Sequence, residues 1–397
     1  MSRGSTFETL DGIKMSFFEK LSRDLKNGSF NFSPTRRIMI PKGPGKTGER
    51  PLSIASPREK IVQKAVALIL ENIFEPIFLD SSHGFRPNRG THSALKQIHS
   101  RTLNYKWAIN GDISKCFDKI PHEVILALIS RKIGCHRTLE LINKALTNPS
   151  VINGRLIPSS IGTPQGSIMS PVISNIVLHE LDLFLLKIKE NFDTGARRRV
   201  NPKYHSLSSS RFKTSNSDLK KTNLMKMMKM EATDSMDPNF KRLLYVRYAD
   251  DFVVLVIGSQ TDCFDLRRKI KDFLNNKLKL ELNIEKTDIT NVKEGFIFLG
   301  AHIIQRSKIL LKVANSNIRR RFSRRISVLA PLTKMLDKFI LAGFARKNPQ
   351  NKIFARGRRD LVNQTHYDIL SFYNSKINGL INFYSFAGNF DQIRRIL

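Results

Sequence analysis

Leu243-Leu244-Tyr245-Val246-Arg247-Tyr248-Ala249-Asp250-Asp251-Phe252-Val253-Val254-Leu255-Val256-Ile257 sets two adjacent carboxylates inside a run that is otherwise almost wholly apolar. The flanking residues are largely β-branched or aromatic, so 243–248 and 252–257 read as two strands joined by a tight turn. Like charges a few ångströms apart repel strongly at low dielectric, so a buried sheet accepts such a pair only with compensation. A bound divalent cation is the simplest compensation. An acidic turn with no ligand is the competing reading, because Asp is common in turns. Successive side chains of a tight hairpin point in different directions, so one Asp can face a metal while the other plays a lesser part.

Working outward, residues 106–113 read as another strand, which carries Asp112 near its end. If the strands are neighbours, Asp112 and Asp250 meet at one sheet edge and can hold two Mg²⁺ ions. That is the arrangement for in-line phosphoryl transfer, with one ion activating a 3′-hydroxyl and the other stabilising a leaving pyrophosphate. Helices are predicted from residue 57, where Pro57 opens a run with Ile61, Ala65, Leu68, Ile69 and Ile73 on one side, and at 91–101, 121–132, 138–147, 167–187 and 261–278. Val151-Ile152-Asn153-Gly154-Arg155-Leu156-Ile157 is a hairpin with an Asn-Gly turn. Short strands are expected near 287–290, 296–304 and 308–312, with a helical pattern from Ala314 onward.

The chain has 397 residues, with 67 Lys and Arg against 34 Asp and Glu, a formal charge of +33. A surface needs charge but not one sign, so a densely anionic partner is implied, nucleic acid before membrane. Cys116, Cys135 and Cys263 form no CxxC pair, which argues against a disulfide framework or a Cys-based zinc site and for a reducing compartment. His83, His92 and His99 do not suit one zinc ion, since His92 and His99 lie about two turns apart on a shared helix. No apolar run reaches a membrane span's length, and the N-terminus lacks a signal-peptide core. Residues 187–242 hold fourteen Lys or Arg against six Asp or Glu with poor apolar periodicity, and read as an inserted basic segment, partly disordered. Its Met225, Met227, Met228 and Met230 suit either a partner surface or a loose linker. Residues 301–397 hold nineteen Lys or Arg against four acids.

Tyr248-Ala249-Asp250-Asp251 between apolar strands resembles the metal-binding motif of reverse transcriptases. Asp112-Ile113-Ser114-Lys115-Cys116-Phe117-Asp118 resembles the first catalytic motif of that family, Gly162-Thr163-Pro164-Gln165-Gly166-Ser167 its helix-opening turn, and Phe298-Leu299-Gly300 its primer grip. Gly84-Phe85-Arg86-Pro87 and the segment from Arg50-Pro51-Leu52 to Arg58-Glu59-Lys60-Ile61-Val62-Gln63 match the subgroup encoded by group II introns, and the resemblance covers nearly the whole chain. It implies that Asp112, Asp250 and Asp251 bind Mg²⁺, and that Phe117 packs under the sugar and excludes a 2′-hydroxyl. Gln165 and Gly166 would pack against the templating pair, and Lys42 and Arg50 clamp the incoming triphosphate, across what looks like a small insertion. Lys286 would protonate the leaving pyrophosphate. The ordinary alternatives are a core aromatic, a plain helix-opening turn and solvated surface cations.

The tail resembles the thumb, or maturase domain X, through Phe372-Tyr373 and Gly379-Leu380-Ile381-Asn382-Phe383-Tyr384. Arg319, Arg320, Arg321, Arg324 and Arg325 are its expected RNA contacts, where cations position phosphates without reading sequence. Against the family pattern the segment before the fingers looks short. The end of domain X, a DNA-binding region and an endonuclease domain look absent, so target-DNA cleavage by this chain alone is not expected.

The expected fold is α+β, a right hand with fingers at 1–100, an antiparallel-sheet palm at 101–187 and 243–305, the insert at 188–242, and a helical thumb at 306–397. The expected activity is RNA-directed DNA synthesis from dNTPs on an RNA template with a DNA primer, coupled to intron RNA binding and splicing, in a mitochondrion, a chloroplast or a bacterium. Its rivals are a splicing maturase with an idle polymerase and a viral RNA-dependent RNA polymerase.

Overall fold

The computed structural model describes residues 4–42, 48–100, 104–228, 230–235, 237–314 and 317–397, with side chains omitted across 307–325. In chain order the main elements are α1 (Met15–Asn27), β1 (Thr35–Pro41), β2 (Glu49–Ile54), α2 (Glu59–Phe74), α3 (Thr91–Ser100), β3 (Trp107–Asp112), α4 (Cys116–Lys119), α5 (His122–Ser130), α6 (His136–Leu146), β4 (Ser150–Ile152), β5 (Arg155–Ile157) and α7 (Ser170–Phe192). They continue with α8 (Pro202–Lys213), α9 (Ser217–Met228), β6 (Arg242–Tyr248), β7 (Asp251–Ile257), α10 (Gln260–Phe273), β8 (Asp288–Asn291), β9 (Phe296–Phe298), β10 (Ala301–Ala314), β11 (Asn317–Leu329), α11 (Leu332–Leu341), β12 (Ala345–Lys347), β13 (Ile353–Ala355), α12 (His366–Phe383) and α13 (Phe390–Ile396).

The central sheet runs β6-β7-β3-β8, and its neighbouring strands pair antiparallel. Every residue of β7 after Asp251 is buried, which a strand achieves only when both sheet faces are covered. Alternate residues serve the two faces. Phe252, Val254 and Val256 join Leu70, Ile125, Ile173 and Leu181 in the larger core, which draws on α2, α5 and α7. Val253, Leu255 and Ile257 face Leu95, Ile98, Phe296 and Phe298 on the other side. The continuous apolar run 252–257 therefore reflects two cores meeting on one strand. Burying each such side chain contributes about 1.5–3 kcal/mol.

A second sheet, β2-β1-β4-β5, carries the hairpin β1–β2 and the hairpin β4–β5. The latter turns through Asn153 at φ 48 and Gly154 at φ 80, the double positive φ that an Asn-Gly turn supplies.

One expectation needs correction. The pattern from Ala314 reads as helical, but β10 and β11 form a long antiparallel hairpin in which Ala314 pairs with Asn317 and His302 with Leu329. Ile318, Phe322 and Ile326 recur every four residues. That spacing lies on one face of a helix, and being even it also lies on one face of a strand. Val328 continues the even series, and Ile326 and Val328 are buried against the β9 side of the core. Helices resume at α11. The described residues of the basic segment 188–242 include α8 and α9. Pro202 opens α8, and the Asn201 side chain caps it by accepting from Lys203 N at 3.0 Å. Bridges between Thr194 and Lys241 and between Val200 and Thr233 close the segment at its base. Met227 and Met228 are buried, whereas Met225 is exposed.

Candidate active site

β3 and β7 align Asp112 opposite Asp251, and the same Asp251 pairs with Tyr248 across the two-residue turn Ala249-Asp250. Three carboxylates thus gather at one sheet edge. Ala249 takes φ 55, the positive φ that a two-residue hairpin needs and that a non-glycine residue seldom adopts. The turn is pressed from outside by Gly84, where an added Cβ would lie 2.3 Å from Ala249 N. Burial first, and then the charge of Asp112, pushes the Asp250 carboxyl above its ordinary pKa of 3.8. Asp251 is exposed. Beneath them the buried Cys116 thiol is pushed up to about 12, chiefly by burial and next by Asp250, so it is neutral at physiological pH.

Lys286 Nζ lies 2.8 Å from Asp112 Oδ2, and this hydrogen bond raises its pKa. Asn283 Nδ2 donates to the same oxygen at 3.1 Å, while Asn283 N donates to the Asp112 carbonyl at 2.9 Å. Asn283 was not legible in the sequence, because nothing local marks an amide that docks onto a strand 171 residues away. Among the described residues, no group of three His, Cys, Asp or Glu side chains is placed to hold a metal ion by itself. Mg²⁺ does not require one, since it keeps several waters and is held by one or two carboxylates together with substrate phosphates. A half-buried Asp250 beside Asp112, with Asp251 open to solvent, fits that habit.

The turn carrying Gln165 and Gly166 is strapped to both neighbours. Thr163 N donates to Phe117 O at 2.6 Å, Gly162 N to Ile120 O at 2.9 Å, and Gln165 Nε2 to Asp118 Oδ2 at 2.9 Å. On its other side Ser53 N of β2 donates to Gln165 O at 2.7 Å. Gly166 has φ 105, and a Cβ there would lie 2.6 Å from Ser53 O, so close approach and conformation both demand glycine. Arg50 lies on β2, exposed, and its charge reaches Asp250. Lys42 follows β1, also exposed, with its N–H on Gly48 O at 3.1 Å. The tip between them, 43–47, lies outside the described residues. Asp112, Asp250, Asp251, Lys286, Phe117, Gln165, Gly166 and Arg50 thus converge. Among the described residues, no hydrogen bond or ion pair links Lys42 to the carboxylates. Arg319, Arg320, Arg321, Arg324 and Arg325 lie on β11, and their side chains are outside the description.

Residues 40–200 match the family of reverse transcriptases (RNA-dependent DNA polymerases), and 323–397 match type II intron maturases. The group II intron-encoded protein LtrA of Lactococcus lactis is 36% identical over 403 residues, covering 99% of this chain and 67% of that protein. The chain belongs to the group II intron-encoded proteins. A COX1/OXI3 intron 2 protein of Saccharomyces cerevisiae is also 36% identical, over 99% of this chain and 47% of its own length. An uncharacterized mitochondrial protein of Marchantia polymorpha is 33% identical over 58% of this chain and 30% of its own. The chain therefore spans two thirds of the lactococcal protein and about half of the yeast one. The structure of apo telomerase from Candida tropicalis truncated from its C-terminal domain overlaps 76% of this chain and 61% of its own, at 14% identity and a TM-score of 0.45. The fold is mixed α and β, with a reverse transcriptase domain over residues 40–200.

In this intron-encoded protein the carboxylate turn hangs on a buried ion pair that sequence reading missed. Arg247 and Asp182 have no exposed side-chain surface and meet at 2.6 Å. Arg247 Nη1 donates to Ala249 O at 3.0 Å and to Asn175 Oδ1 at 3.1 Å, Nη2 donates to Ser82 Oγ at 2.8 Å, and Tyr245 Oη donates to Asp182 Oδ1 at 2.8 Å. Burial opposes the Arg247 charge, and Asp182 more than offsets it, so the pKa is raised. The available signal was a charge flanked by apolar residues in each of two elements, Arg247 in β6 and Asp182 in α7.

Proposed function

We infer that this chain catalyses RNA-directed DNA synthesis, joining dNTPs to a DNA primer on an RNA template. The observation that carries this is the register Asp112 to Asp251, with Asp250 in the adjoining turn and Lys286 at 2.8 Å from Asp112. Asp112 and Asp250, with Asp251 in a lesser part, would hold Mg²⁺. Once bound, that metal supplies activation of the primer 3′-hydroxyl and neutralises charge on the leaving pyrophosphate. Lys286 keeps Asp112 paired before substrate arrives, and its Nζ is the donor for the departing pyrophosphate. Phe117 walls the sugar and excludes a 2′-hydroxyl. Gln165 and Gly166 bear on the templating pair, while Lys42 and Arg50 hold the triphosphate. Arg319, Arg320, Arg321, Arg324 and Arg325 take intron RNA phosphates.

Primer extension on an RNA template with dNTPs and Mg²⁺, beside Asp250→Ala, tests this reading. The expected outcome is extension by the unsubstituted chain and a loss of about a hundredfold or more in the variant, as when a charge-stabilising group is removed. The maturase match over 323–397 favours a second reading, a splicing factor with an idle polymerase. No extension, with tight salt-sensitive intron RNA binding retained, would establish that one instead. For location we favour the mitochondrion on the strength of the Marchantia relative, with the bacterial relative as the counter-case. Among the described residues no helix is long and apolar enough to cross a membrane.

A further inference from the structure

Phe85 is a half-exposed aromatic, 50% accessible, held at φ 56 beside the carboxylates. A bulky residue in that conformation is an outlier that persists only where its surroundings over-determine it. They do so here. On one side of it, Arg86 is buried, with Nε on Glu75 Oε1 at 2.9 Å and Nη1 on Leu79 O at 2.6 Å and Ser82 O at 2.9 Å. On the other side, Gly84 O accepts from Asn175 Nδ2 at 2.8 Å, and the Gly84 backbone is packed so close to Ala249 that no Cβ fits. Further back, His83 N donates to Arg247 O at 2.9 Å and Arg247 N to Ser81 O at 2.7 Å, which pins the segment along the edge of β6. Most of these anchors are buried or backbone, and between the buried Gly84 and Arg86 they present the Phe85 ring toward solvent.

That ring stands edge-on to Phe117, with centroids 6.2 Å apart, and lies tilted against Tyr248 at 6.4 Å. Phe117 precedes the strap to Gln165, and Tyr248 begins the turn that carries Asp250. The three rings form an apolar arc from the nucleotide side of the site to the carboxylates. A primer 3′-hydroxyl that reacts at Asp112 and Asp250 must lie between those two ends, and so against Phe85. We propose that Phe85 is a specificity-determining residue whose ring packs on the primer-terminal base pair of the RNA–DNA hybrid and favours a correctly shaped terminus. The inference rests on the polymerase reading of this site. An aromatic ring suits the task because it offers flat apolar contact to any base without reading its identity, and because its rotamers are few and its position is fixed by the backbone.

The test uses the full chain, a dideoxy-terminated primer on an RNA template, Mg²⁺ and the next complementary dNTP, so that no bond is made. The dNTP concentration that stabilises the complex is measured for matched and 3′-mismatched primers. Phe85→Ala should weaken the matched complex about tenfold and shrink the matched-to-mismatched ratio by a similar factor. Phe85→Trp should restore both. A thermal melt establishes that each variant is folded, and Phe85→Leu serves as the second variant should Phe85→Ala not fold. A ratio unchanged in a folded variant overturns the proposal, as does the absence of any dNTP-dependent complex in the unsubstituted chain. Extension by the unsubstituted chain on an unblocked primer is scored separately. A chain that forms the complex without extending loses the polymerase reading and this proposal with it, whereas extension with an unchanged matched-to-mismatched ratio overturns this proposal alone.

Discussion

Arg247 shows how one residue can be both an interruption in the sequence and a support in the structure. Within 243–257 it is the only cation in an apolar run, and hydropathy treats it as a break. In the fold its guanidinium donates to Asp182, Asn175, Ser82 and the carbonyl of Ala249. Removing one member of a buried pair leaves the other charge unpaired and costs about 3–5 kcal/mol, whereas replacing both with apolar residues can be nearly neutral. Arg247→Met and Asp182→Leu should therefore each lower the urea unfolding free energy by about 3–5 kcal/mol, and the double variant by clearly less than their sum. Additive losses would show that the two charges are not compensating each other. Even where the double variant folds, primer extension should fall, because the Ala249 carbonyl loses its donor. Asp112, Asp250 and Asp251 were legible at this scale because charge inside an apolar run demands a partner. That the partner of Arg247 would be Asp182, from a helix 65 residues earlier, was not, since nothing local couples them.

At the scale of elements the segment between α2 and α3 is held by two buried histidines as well as by its arginines. His83 has Ser93 Oγ at 2.8 Å from Nδ1 and Gln97 Oε1 at 2.6 Å from Nε2, and His179 of α7 sits edge-on to Phe78. Burial lowers both pKa values below the ordinary 6.5. For His83 the cations Arg89 and Arg86 act in the same direction, against the Gln97 contact and the charge of Asp80. With the folded pKa depressed, the unfolded chain binds the proton first as pH falls, so stability is full above about 6.5 and declines through the folded values. The unfolding free energy should fall between pH 7 and 5, by at most about 1.4 kcal/mol per pH unit for each histidine. His83→Gln should remove its share. A His83→Gln profile parallel to that of the unsubstituted chain would sink the assignment. Some elements were readable from sequence: β7 and the Asn-Gly hairpin stand where they were expected, and a helix does follow Pro57. The face of that helix was misread, because α2 buries Val62, Val66, Ala67, Leu70 and Phe74 and leaves Leu68 and Ile69 of the expected side exposed. The β10–β11 hairpin was not readable, because a four-residue repeat satisfies helix and strand alike, and only the β9 edge decides between them.

On the whole molecule the sign of the charge matters more than its amount. The formal charge is +33, and residues 301–397 carry nineteen cations against four acids. The order of the motifs along the chain, more than any periodicity, made the right hand legible. Charge alone made an anionic partner legible but left its location open, because solvated cations and phosphate contacts look the same in a sequence. Counterion release separates them. Each phosphate neutralised on single-stranded RNA contributes about −0.7 to the slope of log K against log salt, whereas a cation that merely adds to the overall field does not add a whole contact. Replacing Arg319, Arg320, Arg321, Arg324 and Arg325 with Gln should therefore flatten the slope for intron RNA by about 3.5 if all five take phosphates. The control removes equal charge elsewhere: Arg197, Arg211, Lys213, Lys220 and Lys221 of the 188–242 segment, replaced by Gln. Filter binding across a salt series should give a large change in slope for the first variant and a small one for the second. Equal changes would mean that RNA is held by the diffuse field of the protein, and the β11 arginines would lose their assignment as the RNA-binding site.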